Sequence, residues 1–102
     1  MGYFDNIQPC WKVLGGNPFT VRFYARLSSD DISAFRSLVA SLPRDQGAIF
    51  DVTNLDSTGT LFYDEFVKAT KEHFIRWRAR SGWAEELAKM GIPKERIIHT
   101  KA

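Results

Sequence analysis

The sequence predicts one small α/β domain, a mixed sheet of four to five strands packed by helices. Three observations lead there. Residues 19–27 alternate apolar and polar side chains, as a half-buried strand does. Ile32, Phe35, Leu38, Val39 and Leu42 then recur at helical spacing. Residues 48–52 follow as a short apolar run after a turn, which fits a central strand. A strand, a helix and a second strand make one crossover unit, with the two strands parallel and the crossover right-handed.

Length and composition agree with a single domain over 1–102. The chain has 102 residues, 44% hydrophobic and 25% charged. That is enough for one core and too apolar for a disordered chain. No apolar run reaches the roughly 18 residues that cross a bilayer. Residues 1–8 hold no basic cluster and no apolar stretch, so no signal peptide is expected. The lone Cys10 has no partner for an internal disulfide. Cys10, His73 and His99 are too scattered in sequence for a metal site. A cytoplasmic protein with a reduced thiol and no cofactor is the expectation. The net charge of +2 is small for a dedicated nucleic-acid binder, so nucleic acid is not the expected partner.

The elements follow in order. Residues 1–10 show no period and read as an irregular N-terminal segment ended by Pro9. Residues 11–14 read as a strand. Gly15, Gly16, Asn17 and Pro18 form a strong turn signal, making a hairpin with 19–27. In that second strand Phe19, Val21, Phe23, Ala25 and Leu27 share the inward face, and Arg22, Tyr24 and Arg26 the outward one. Ser28 with Asp31 resembles a capping box opening the first helix, and Pro43 stops it. Residues 44–47 read as a surface turn. Residues 54–59 read as a polar loop after the central strand, with a second helix starting near 57–60. Its inner stripe is Phe62, Phe66, Ala69, His73, Phe74 and Trp77. The pattern blurs after residue 74. One long helix over 60–80 fits, and so does a helix ending near 73 with 74–80 extended. Ser81 is placed to cap a last helix with Trp83, Leu87 and Met90 inward, closed by Gly91 and Pro93. Residues 96–100 read as a terminal strand.

The most informative stretch runs through Asp51, Asp56, Ser57, Thr58 and Gly59. It places acids and hydroxyls at the C-terminal end of a parallel strand, where α/β domains bind partners. Ser57 also fits as a plain helix N-cap, with Gly59 a turn residue. Asp56-Ser57-Thr58-Gly59 after an apolar strand ending in an Asp resembles the signature of STAS domains, the anti-anti-sigma factor family. Two further pieces resemble it: residues 21–31 with the helix after them, and 84–92 before Ile97 and Ile98. The loop between Asp51 and Asp56 is shorter than that family's. The resemblance implies a small STAS-like sandwich and a non-enzymatic, protein-binding regulator of the anti-sigma factor antagonist kind. It implies that Ser57 is phosphorylated by a partner kinase that is also an anti-sigma factor. Asp51, Asp56, Thr58 and Gly59 would be the supporting loop.

The same stretch also fits part of a calcium loop. Asn54, Asp56, Thr58, Gly59, Thr60, Leu61 and Glu65 stand at positions 1, 3, 5, 6, 7, 8 and 12 of an EF-hand over 54–65. Such a hand needs an entering helix. Lys68, Lys71, Arg76, Arg78 and Arg80 form a cationic stretch with Phe74 and Trp77, which fits a solvated helix face or a nucleic-acid track. Arg22 and Arg26 would join it only on an uncovered sheet face. No P-loop, HExxH or GxSxG is present, and His73 reads as a packed histidine. Eight Phe, three Trp and three Tyr are a high aromatic count. Phe19, Phe23, Phe35, Phe50, Phe62, Phe66 and Phe74 are expected inside. Tyr3, Phe4, Trp11, Tyr24, Tyr63, Trp77 and Trp83 are expected at a partner or homodimer surface.

Overall fold

The structure is a computed structural model that describes residues 10–44 and 46–100. Tyr3 and Phe4, with the irregular segment expected over 1–10 except Cys10, lie outside the described residues, as does Asp45 in the expected turn. Five strands and three α-helices alternate after an opening hairpin: β1 (Trp11–Gly15), β2 (Phe19–Leu27), α1 (Ile32–Ala40), β3 (Ala48–Thr58), α2 (Leu61–Glu72), β4 (Ile75–Ala79), α3 (Ser81–Met90) and β5 (Ile97–His99). The strand order in the sheet is β1-β2-β3-β4-β5, the same as the chain order. β1 is antiparallel to β2; the other pairs are parallel.

That order decides where the core sits. Three successive crossovers step in one direction, and right-handed crossovers of that kind put their helices on one face. Val21, Phe50, Trp77 and Ile97 are successive register partners, and they pack on that face. Phe35 of α1 and Phe62 and Phe66 of α2 meet them from above. Ring centroids stand 5.4 Å apart for Phe35 and Phe62, 5.3 Å for Phe23 and Phe50, and 4.6 Å for Phe66 and Trp77. Aromatic pairs at such spacing add to the area that they bury. The neighbouring row, Lys12, Arg22, Asp51, Arg78 and Ile98, lies on the opposite, helix-free face. Ile49 belongs there too: it is buried yet stands outside the core cluster.

Four local expectations are corrected. Residues 54–58 are strand, not loop. Leu55 is 2% exposed and holds the inward face while Asn54 and Asp56 are exposed, so the segment keeps an alternating pattern despite its polarity. Ala25 is exposed, with φ +53 in the left-handed region, where a side chain costs roughly 1–2 kcal/mol. The β2–β3 register shifts on both sides of it, between Arg22 and Tyr24 and between Ala25 and Arg26, which breaks the alternation at that point. Phe74 lies outside at 57% exposure and Trp77 inside at 0%. The period changes from 3.6 to 2 where α2 ends and β4 begins, so the extended alternative for 74–80 is the observed one. Arg80 rather than Ser81 holds the N-cap position of α3, and Thr60 rather than Ser57 that of α2.

Other signals form as expected. The Asp31 carboxylate accepts the Ser28 N–H at 2.9 Å, although the box opens a short 3-10 turn, Ser29–Asp31, from which α1 follows at Ile32. Gly91 ends α3 with φ +116, and its N–H donates to the Ala88 carbonyl at 3.1 Å. Arg96 was not anticipated. Its guanidinium donates to the carbonyls of Thr70 at 3.2 Å, His73 at 3.4 Å and Ile75 at 3.2 Å, and lies over the Phe74 ring at 4.7 Å. It therefore satisfies carbonyls at the end of α2 and the start of β4. Arg96→Ala is expected to cost about 2 kcal/mol, the scale of charged hydrogen bonds. Amide hydrogen exchange should quicken first around residues 70–75, while the centre of β3 stays protected.

Candidate functional site

The end of β3 forms a cleft. The register of β3 with β4 stops at Asp51 and Arg78, while its register with β2 runs on to Thr58. The first turns of α2 and α3 flank the resulting gap. A cavity of about 380 Å³ opens there, lined by Asp56, Ser57, Thr58, Tyr63, Gly82, Trp83 and Glu86. Trp83 fixes one wall: its indole N–H donates to the Leu55 carbonyl at 2.6 Å. That bond satisfies a strand carbonyl on the side that β4 does not reach. The Tyr63 hydroxyl donates to Glu86 Oε1 at 3.3 Å and ties α2 to α3. Burial first, then the charge of Glu86 and the hydrogen bond to it, push the Tyr63 phenol above its ordinary value.

The raised phenol gives a testable sign. A group whose folded pKa exceeds its unfolded value stabilises the fold below the unfolded pKa and loses that contribution as pH rises through the folded one. Tyr63 therefore weakens the fold only above about pH 10. Glu86→Gln should lower the phenol's titration, read by ultraviolet absorbance against a Tyr63→Phe blank.

The expected site residues divide into two groups. Asp56, Ser57 and Thr58 line the cleft together. Ser57 is half-buried and pairs with Arg26 in the β2–β3 ladder, so it stands in a strand and not at the first amides of α2. Thr58 is half-buried, and its hydroxyl reaches the Gly59 carbonyl only at 3.4 Å. Gly59 is exposed; its N–H donates to Leu27 and its carbonyl accepts from Phe62, each at 3.0 Å. Asp51 is away from the cleft lining. It is 2% exposed on the helix-free face, with one oxygen accepting the Thr53 N–H at 2.9 Å and hydroxyl at 2.6 Å. Arg22 Nε and an Arg78 amine stand 3.5 and 3.8 Å from its other oxygen. In the sequence Tyr63 reads as a surplus aromatic, and Trp83 both as one and as part of the inward stripe of the last helix. Glu86 carried no signal there, because its role depends on where α3 docks.

The calcium-loop geometry is not formed. Residues 54–58 are strand where a hand needs the loop, and strand precedes them where it needs a helix. Glu65, the would-be bidentate ligand, accepts from Arg36 at 3.1 and 2.7 Å instead. That hydrogen bond holds the Glu65 carboxyl below its usual range. Among the described residues no three His, Cys, Asp or Glu side chains gather in a metal-binding group. No described helix is long and apolar enough to cross a membrane. No family model, curated protein or solved structure matches the chain.

Proposed function

We infer that the chain is a non-catalytic protein-binding module that meets its partner at the β3 cleft and is switched by phosphate on Ser57. The observation that carries this is the joint lining of one cleft by Asp56, Ser57 and Thr58 with two half-buried aromatics, Tyr63 and Trp83. Aromatic rings beside hydroxyls and acids suit a protein contact, since Tyr and Trp concentrate at interfaces. The resemblance of the Asp56–Gly59 segment to the anti-anti-sigma signature names Ser57 as the phosphoacceptor and a kinase of the anti-sigma kind as the partner. A phosphoryl group would add about −1.5 to −2 charges to the cleft. Asp56 and Glu86 already line it, so the added charge would repel both and expel an acidic or apolar partner surface.

The test is phosphotransfer. Incubation of the full chain with ATP and serine kinases from its own source should add one phosphate by intact mass, lost in Ser57→Ala and kept in Thr58→Val. Tryptophan emission should change on labelling, because Trp83 lines the same cleft, and should not change in Trp83→Phe. Wild-type protein that stays unlabelled would overturn the switch. Label that persists in Ser57→Ala would overturn the residue.

A further inference from the structure

The helix-free sheet face is the other unused surface, and its chemistry is distinct from that of the cleft. Lys12, Arg22 and Arg78 stand in one cross-strand row with Asp51 between the two arginines. Arg76 stands in the next row, beside Ile49 and Thr20. Among the described residues of these two rows, four cations stand with one carboxylate. That carboxylate is already engaged by Thr53, Arg22 and Arg78. Nε of Arg76 is buried with no hydrogen-bond partner, and Nε of Arg22 has the Asp51 oxygen at 3.5 Å without a formed hydrogen bond. A ligand would meet the outer nitrogens of these side chains, and a guanidinium is more weakly hydrated than a lysine ammonium. Lys12 is exposed, and the guanidinium side chains of Arg22 and Arg78 are more than one third exposed.

We propose that this face docks an acidic, partly apolar segment of a partner protein. Charge complementarity gives the acidic half: a planar guanidinium donates two parallel hydrogen bonds to a carboxylate. Ile98, the half-buried partner of Arg78, and Leu14, 44% exposed on β1, give the apolar half. Single-stranded nucleic acid fits less well. It stacks its bases on aromatic side chains. Here the two rows hold no aromatic side chain: Ile49 and Asp51 stand on the middle strand. The proposal is independent of the β3 cleft and of Ser57.

The probes are a labelled glutamate-rich peptide with leucine at every third position, its glutamine counterpart, and an oligothymidylate. The protein is the full chain. The variant is Lys12→Glu with Arg76→Gln, since neither residue pairs with Asp51 and the fold can be checked by circular dichroism. Lys89→Gln on α3 is the control. The glutamate peptide should bind and the glutamine peptide should not. Its affinity should fall with salt, and by roughly tenfold or more in the double variant, as loss of complementary charge predicts. Lys89→Gln should bind as wild type does. Equal binding by the folded double variant would overturn the proposal. So would an absence of peptide binding, or an oligothymidylate that binds more tightly than the peptide.

Discussion

Trp77→Ala should lower stability by about 3–5 kcal/mol, the range for emptying a large aromatic site. Trp77 is fully buried at the middle of the helix-covered face. It lies against Phe66, with centroids 4.6 Å apart, and edge-on to Phe50 at 5.2 Å. Its indole N–H donates to the Thr70 hydroxyl at 2.8 Å, and that hydroxyl donates to the Phe66 carbonyl at 2.8 Å. One residue therefore joins β4 to α2 by both packing and a buried polar chain. The walls of the hole are β3, β4 and α2, which cannot all move inward together. For a domain of this size the change corresponds to a fall in Tm of more than about 10 °C. Trp77→Phe separates the two contributions. It keeps a ring and loses the N–H, and should cost about 1 kcal/mol for the hydrogen bond plus a smaller packing loss. Urea midpoints of the two variants against wild type check the division.

The second large effect is expected at Asp51. Arg22 and Arg78 approach one oxygen of a carboxylate that is 2% exposed. Either arginine alone can be lost at modest cost while the other remains. Losing both leaves a buried charge with only Thr53 for company. Removing the partner of a buried ion costs about 3–5 kcal/mol, and solvent screening of these exposed guanidinium groups favours the lower end. Arg22→Ala with Arg78→Ala should therefore cost more than the two single changes added together. Adding Asp51→Val should restore much of the loss, because a buried ionic cluster replaced by apolar side chains is often neutral. Denaturant midpoints at unchanged slope check both statements. A double variant that merely adds would show that water already solvates Asp51.

The hairpin, the first crossover and the three helices were legible because their periods are long and their punctuation is strong. Pro43, Gly91 and Pro93 mark ends that the structure keeps. What escaped was decided between elements. The extension of β3 to Thr58 depends on β2 being long enough to pair with it; locally, Asn54, Asp56 and Ser57 read as loop. Only the isolated Leu55 between polar neighbours hinted at a strand. A helical stripe drawn through residue 74 puts both Phe74 and Trp77 inside; because the helix stops at Glu72, strand alternation turns Phe74 out and keeps Trp77 in. The cleft was half visible. Asp56, Ser57 and Thr58 are contiguous, whereas Tyr63, Trp83 and Glu86 reach them only after α2 and α3 have docked. The family resemblance joins Asp51 to that group as the Asp that ends the apolar strand. Strand geometry sends it to the opposite face, in the row of Arg22 and Arg78.

The identity of strand order and chain order bears on how the molecule assembles. Each strand after β1 finds its neighbour already made, and no strand must be threaded between two earlier ones. The hairpin β1–β2 offers one open edge, and every following helix-and-strand unit extends it by a single position. Loop closures stay short, which favours rapid folding for a mostly parallel sheet. Synthesis from the N-terminus can therefore lay the sheet down in sequence, with the exposed edge moving from β2 to β5 as each unit emerges.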